Sequence, residues 1–167
     1  MAEKLYQRIN FEDAPSINTP LSADILNLLD KGVDDLDNKI VSMFNKKLLA
    51  TGPSHLTEEQ TLYFSQKVSE QQNGIAFVFS LYDSGNKVPL DYNFQCFFVP
   101  KHQVAAFNGL GHNFLMVNNS IFSKIASKYV YIYDDKIVGN KDNLKSGTSN
   151  GITYNNNSFV LRYVIGV

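Results

Sequence analysis

The chain has 167 residues, 44% of them hydrophobic and 13% aromatic, with a formal net charge of −1. That length suits one domain, or a domain with an appendage, and lets a folded chain bury roughly two thirds of its unfolded surface. The charge balance leaves no footprint for nucleic acid or an anionic membrane, and no run approaches the ~18 apolar residues of a transmembrane span. No apolar run follows the opening Met-Ala-Glu-Lys, so no signal peptide is read and the chain is expected to be made in a cytoplasm.

Residues 1–20 hold Pro15 and Pro20 with little periodicity, so they are expected to form an extended arm. The apolar residues of that arm, Tyr6, Ile9, Phe11 and Ile17, need a partner surface and are the candidates for docking. Residues 21–50 follow as a helical segment, with Thr19 or Ser22 as N-cap and Asp24 near the positive end of the dipole. Leu26, Leu29, Val33, Leu36, Ile40 and Met43 recur at spacings of three and four, an a/d heptad seam. Asp24, Asp30, Asp34, Asp35 and Asp37 are assigned to the opposite face, and Gly32 flanks the seam. A helix over 22–45 would be on the order of 35 Å long. Such a helix can lie on its own domain or pair with other copies. Its place between an arm and a β-domain favours the second.

Residues 51–167 read as a β-domain. The segment 51–73 carries both a capping box, Thr57-Glu58-Glu59-Gln60, and a weak alternation of Leu62, Phe64 and Val68; a strand over 61–68 is expected. Ile75 to Tyr82 is almost continuously apolar, as in an interior strand covered on both faces, and ends at the turn Asp83-Ser84-Gly85-Asn86. Tyr92 to Val99 is a further strand stopped by Pro100, with Cys96 expected as a buried, inert thiol. Being the only cysteine, Cys96 excludes an intrachain disulfide and a thiolate metal site. Strands are also expected at 104–107 and 114–117, with Gly109-Leu110-Gly111-His112 as a flexible turn between them. Tyr129–Tyr133, Lys136–Val138 and Ser158–Ile165 complete the set. Many short strands with frequent turns, and no βαβ spacing, indicate a sandwich or jelly roll.

Catalytic signatures are not found. His55, His102 and His112 are widely separated, and a metal site needs three convergent donors. No nucleophile elbow, Walker loop or dinucleotide fingerprint occurs. Asp134-Asp135 is an adjacent acidic pair at a strand end, but successive strand residues face opposite ways. What remains is display chemistry: aromatic faces for pyranose rings, carboxamides for hydroxyls. Tyr82, Asp83, Tyr133 and Asp134 are the candidate ligand residues, because each lies where an apolar run gives way to a turn. The tract Asn155-Asn156-Asn157 reads as a turn first.

The start of the chain, Tyr6-Gln7-Arg8-Ile9-Asn10-Phe11 with Pro15, Thr19-Pro20-Leu21, Leu26-Asn27 and Asp30-Lys31-Gly32, resembles the attachment ends of tail and baseplate proteins of phages infecting Gram-positive bacteria. The remainder is similar to a C-terminal domain of such proteins, through Asn73-Gly74-Ile75 to Ser80, Phe97-Phe98-Val99-Pro100-Lys101, Ser127 to Ile132, Gly151 to Asn156 and, most specifically, Phe159 to Val167. The resemblance implies a virion component assembled in the host cytoplasm and working as a homotrimer. It implies contacts with other virion proteins and with host cell-wall polysaccharide, without cofactor or catalysis. Only a short helix separates the two ends, where many tail fibres carry a long shaft. A compact baseplate, collar or short-fibre subunit is therefore expected, with a carbohydrate-binding module or a head fibre as the alternatives.

Overall fold

The computed structural model describes Tyr6 and residues 22–44, 47–118 and 124–167. The chain is mainly β, with one main helix and two sheets, and it divides into two compact units, Met1–Lys46 and Lys47–Val167. The break thus falls at 46/47 rather than at 50/51, because Leu48 to Ala50 already belong to a strand.

In the first unit, helix α1 runs from Ala23 to Phe44, as the heptad spacing and the Ser22 cap foretell. The Ser22 hydroxyl accepts from the Ile25 amide at 3.4 Å, relieving one of the free first-turn donors. Asp30 and Asp37 correct the expected facing. Each stands four residues after a seam residue, Leu26 or Val33, and so lies beside the seam rather than opposite it. Asp30 is buried, accepting from the Tyr6 hydroxyl, while the Tyr6 amide donates to Asp37 at 2.9 Å. One arm residue therefore clips onto the helix through two carboxylates. Ile9, Phe11 and Ile17 lie outside the described residues, as does the Met43 side chain.

The second unit holds β1 (Lys47–Ser54), β2 (Thr61–Tyr63), β3 (Gly74–Asp83), β4 (Val88–Pro89), β5 (Gln95–Pro100), helix α2 (Lys101–Ala106), β6 (Leu110–Asn118), β7 (Lys124–Ile132), β8 (Lys136–Val138), β9 (Ser146–Ser149), β10 (Ile152–Asn155) and β11 (Phe159–Gly166). One sheet runs β1-β11-β3-β4, with β5 also on β3; the other runs β2-β8-β7-β10-β9, with β6 also on β7. Both sheets contribute to one core. Ile75, Phe77, Phe79, Phe159 and Leu161 come from the first, and Met116, Ala126, Val130, Ile132 and Ile137 from the second. Phe114 joins them, its ring 5.0 Å from that of Phe77 and 5.1 Å from that of Phe97.

Four expectations fail here, each for a local reason. Only Thr61–Tyr63 of the 61–68 segment pairs as a strand. Beyond it the backbone donors scatter, Phe64 to the Asp135 carbonyl and Ser65 to that of Leu49, and Val68–Glu70 closes as a 3-10 turn. The 104–107 segment is helical, since Pro100 at the N-cap and Ala105-Ala106 favour a helix that needs to bury only Val104. Leu110 to His112 are not a flexible turn but begin β6, paired to Val130–Ile132 of β7. Cys96 is exposed, because β5 alternates and the core takes Phe97 and Val99 instead.

β7 lacks a continuous strand on the edge away from β6, since it meets β10 only at Ile125 and β8 only at Tyr131 and Ile132. Two buried asparagines fill the gap. Asn143 accepts from the Tyr129 amide at 2.7 Å and donates to the Tyr129 carbonyl at 2.8 Å, as a neighbouring strand would. It also donates to the Leu56 carbonyl at 2.6 Å. Asn156 accepts from the Ser127 amide at 2.8 Å and donates to the Asp142 carbonyl at 2.8 Å. Each is held by a 3-10 turn, Lys141–Leu144 or Asn156–Ser158. Replacing Asn143 by Ala strands several buried backbone groups at ~1–3 kcal/mol each. We predict that Asn143→Ala lowers the unfolding free energy by about 3 kcal/mol in urea denaturation with an unchanged m-value. A loss under about 1 kcal/mol would show that water replaces the carboxamide.

Candidate functional site

The four ligand candidates do not converge. Tyr82 and Asp83 end β3, whereas Tyr133 follows the end of β7 and packs on Gly109, where an added Cβ would lie 2.6 Å from its ring. Asn118, at the far end of β6 from Leu110, shares a cavity with Tyr82, so the length of a strand separates the two pairs. Both carboxylates are engaged in turns. Asp83 accepts from the amides of Gly85 (2.9 Å) and Asn86 (3.1 Å) and from the Asn86 side chain (2.8 Å). The hydrogen bonds from Asn86, with that from the Gly85 amide, hold its carboxyl below the usual aspartate range. Asp134 accepts from the Ser69 amide at 2.7 Å and its hydroxyl at 2.9 Å, tying the 3-10 turn at Val68–Glu70 to the β7–β8 corner. Tyr133 has the Lys136 ammonium 5.0 Å from its ring centre.

Of the four, Tyr82 lines a cleft of about 550 Å³, together with Leu81, Leu90, Tyr92, Asn93, Asn118 and Ser158. Its walls come from the end of β3, the loop into β5, the end of β6 and the turn before β11. The Tyr82 ring is braced edge-on by His55, at 4.5 Å and 83°. The loop wall is held by the Leu90 amide on the Leu81 carbonyl (2.8 Å). Arg162 steadies the same loop, donating to Ser80 Oγ (3.1 Å), the Leu90 carbonyl (3.4 Å) and Asp91 (2.9 Å). Asn93 sits at φ 53°, a left-handed conformation that Asn tolerates better than most residues. Gln95 bonds Val117 on both its amide (3.1 Å) and carbonyl (2.7 Å), stitching β5 to β6 below the cleft. Tyr92 is 58% exposed.

The lining residues are two tyrosines, two asparagines, a serine and two leucines. The lining offers aromatic faces for stacking and hydroxyl and carboxamide groups for hydrogen bonding. Sequence reasoning found Tyr82 and missed Tyr92, Asn93, Asn118 and Ser158. Asn118 carried only a turn signal, and Tyr92 and Ser158 were absorbed into expected strands that begin instead at Gln95 and Phe159.

A second cleft, of about 340 Å³, is lined by Asn113, Ser127, Tyr129, Asn140, Asp142, Asn143 and Asn156. Its carboxamides are largely committed to the β7 edge. Behind it lies Lys128, wholly buried, donating to the carbonyls of His55 (3.1 Å) and Asn143 (2.8 Å). Burial pushes the Lys128 ammonium down to about 7. The His55 imidazole falls to about 4, first through burial and then through the Lys128 charge, and its buried Nδ1 makes no hydrogen bond.

The heptad seam is the third feature. In the single chain Leu29 is 61% exposed, Val33 46%, Leu36 60% and Ile40 52%, with Leu26 half-buried. Tyr6, Val33, Leu36, Asp37 and Ile40 line a shallow apolar hollow of about 330 Å³ along it. Among the described residues, no cluster of three or more His, Cys, Asp or Glu could hold a metal ion, and no helix is long and apolar enough to cross a membrane. Comparison with protein-family models, curated proteins and solved structures finds no match to this chain.

The two buried bases set a pH dependence. A base whose pKa is lower folded than unfolded binds more protons when unfolded, so stability rises with pH between the two values. The window is about 4 to 6.5 for His55 and about 7 to 10.5 for Lys128. We predict that wild-type stability climbs across pH 7–10 by up to about 1.4 kcal/mol per unit, and that Lys128→Met removes this climb. Thermal melts of both proteins across that range are the check; identical slopes would mean that Lys128 keeps an ordinary pKa.

Proposed function

We propose that this chain is a structural subunit of a phage particle: a baseplate, collar or short tail-fibre protein. Residues 1–20 dock on the particle, α1 associates with copies of itself as a coiled coil, and a sandwich-like β-unit is presented for host attachment. The observation that carries this reading is the exposed seam. A helix whose apolar a/d stripe stays in water within its own unit has surface to bury in an assembly. The sequence resemblance supplies the virion context and the preference for a trimer; a head fibre is the nearest alternative. Tyr6 is engaged by the helix of its own chain, which leaves Ile9, Phe11 and Ile17 as the arm residues proposed to meet the particle.

Leu29 and Leu36 are exposed in the single chain, so Leu29→Asp with Leu36→Asp leaves the protomer fold intact. Placed in a coiled-coil interface, those carboxylates would be buried without partners. Equilibrium sedimentation is expected to give an oligomer for the wild type at micromolar concentration and a monomer for the double variant. A monomeric wild type rules out the seam as an interface.

The cleft at Tyr82 favours a second reading, in which the β-unit itself recognises host saccharide. Aromatic rings flanked by carboxamides and a hydroxyl suit a neutral sugar, and multivalent display would raise a weak site by roughly 10²–10⁴. Host cell-wall polysaccharide should be retained by the intact oligomer and released at least tenfold more readily by Tyr92→Ala. If wild-type oligomer retains none at high concentration, adhesion belongs to another protein of the particle.

A further inference from the structure

The apolar run of β3 matches an interior strand, yet only one of its faces meets the core. In antiparallel sheets directly opposed residues point the same way, so the register sorts the outer face into rows. One row crosses four strands as Leu48, Ile165, Ala76 and Phe98. The next crosses the same strands as Thr51, Tyr163, Val78 and Cys96. Neither row contains a charge. Leu48 and Phe98 are each 53% exposed, Cys96 and Thr51 are exposed, and the other four are half-buried. An antiparallel sheet with one face in solvent ordinarily alternates apolar-in with polar-out. Here the outward positions of these two rows are uncharged and mostly apolar, while the neighbouring outward pair, Val160 and Ser80, is fully buried.

We infer that this outer face of the β1-β11-β3-β5 sheet is a contact between the β-units of neighbouring copies of the chain. The inference rests on the self-association proposed above and adds the surface through which the β-units meet. Charge favours a copy as occupant. A face without ionised groups can meet itself without like-charge repulsion, and the guanidinium at its rim, Arg162, is already paired with Asp91 at 2.9 Å. Area points the same way. The two rows expose on the order of 400 Å² of side chain, about half of what one partner gives to a freestanding specific interface. So small a face holds poorly to a free partner but well to one that a second contact already keeps at high effective concentration. Strand addition at the β1 edge is discouraged by Pro53 and by two register breaks in that strand, leaving the face rather than the edge.

Cys96 lies in the second row and reports directly on cover. In the full-length oligomer its thiol should react with a chromogenic disulfide reagent at least tenfold more slowly than in Phe98→Glu, with far-ultraviolet circular dichroism confirming that the variant is folded. Diluting the wild type through its dissociation range should restore fast reaction in step with the loss of mass, a measurement that needs no variant. An oligomer whose Cys96 reacts as fast as in Phe98→Glu overturns this interface and leaves association through α1 standing. A wild-type monomer overturns both. Slow reaction persisting in the Leu29→Asp, Leu36→Asp monomer would mean that the cover comes from within one chain, which also overturns the inference.

Discussion

The β-unit depends on β11 lying between β1 and β3. Phe159 to Gly166 forms two ladders of the first sheet, with partners from Lys47 to Ser54 on one side and from Ile75 to Leu81 on the other. Its inward residues Phe159, Leu161 and Val164 are fully buried against residues brought from far along the chain. Such pairings require long loops to close before any contact is gained, so the sheet forms as a whole or not at all. The register break between Leu161 and Tyr163 leaves Arg162 as the extra residue, re-aimed outward as bulges do. Its guanidinium then holds the loop at Leu90 and Asp91 that walls the Tyr82 cleft. The shape of the cleft is therefore a consequence of where β11 bulges.

The second sheet solves a different problem. β7 has to satisfy a polar edge that no strand covers along its middle, and Asn143 and Asn156 do so with side chains. A carboxamide carries both a donor and an acceptor, which is what a backbone neighbour would offer. The turns rich in Asn and Asp are thus part of the sheet rather than decoration around it. The same economy explains Lys128, whose stem lies on the core face with Ala126 and Val130 while its ammonium reaches two carbonyls. A carboxylate there would have had no donor to meet.

Two apolar surfaces remain after each unit has folded: the seam of α1 and the outer rows of the first sheet. Neither is explained by the stability of a single chain, since exposed Leu29, Leu36 and Phe98 contribute little to a core they do not enter. The proposed assembly would give both a purpose in one step, the longer seam supplying proximity and the smaller face supplying orientation. The clip from Tyr6 to Asp30 and Asp37 sets Tyr6 at the edge of the a/d stripe, where it shares a hollow with Val33, Leu36 and Ile40, which remain exposed.

Much of this was legible in the residues. Heptad spacing is a local, one-dimensional signal, and α1 appears where it places the helix. The strands at 74–83 and 159–166, and the second half of that at 124–132, follow from runs of β-branched and aromatic residues between turn formers. Local patterns misled where a neighbour had the stronger claim: Pro100 turned Val104 into a helical residue, and scattered hydrogen bonds cut short the strand after Tyr63. Cys96 looked buried because apolar neighbours do not reveal which of two alternating faces is covered. The amino-acid sequence by itself determined the helix and its apolar seam and most of the longer strands, because these depend on spacing along the chain. Only the tertiary structure decided that Tyr82 meets Tyr92 and Asn118 while Tyr133 lies a strand's length away, that two asparagines stand in for a missing strand, and that part of one sheet face stays exposed. Those facts depend on register between segments far apart in sequence, which no local pattern encodes.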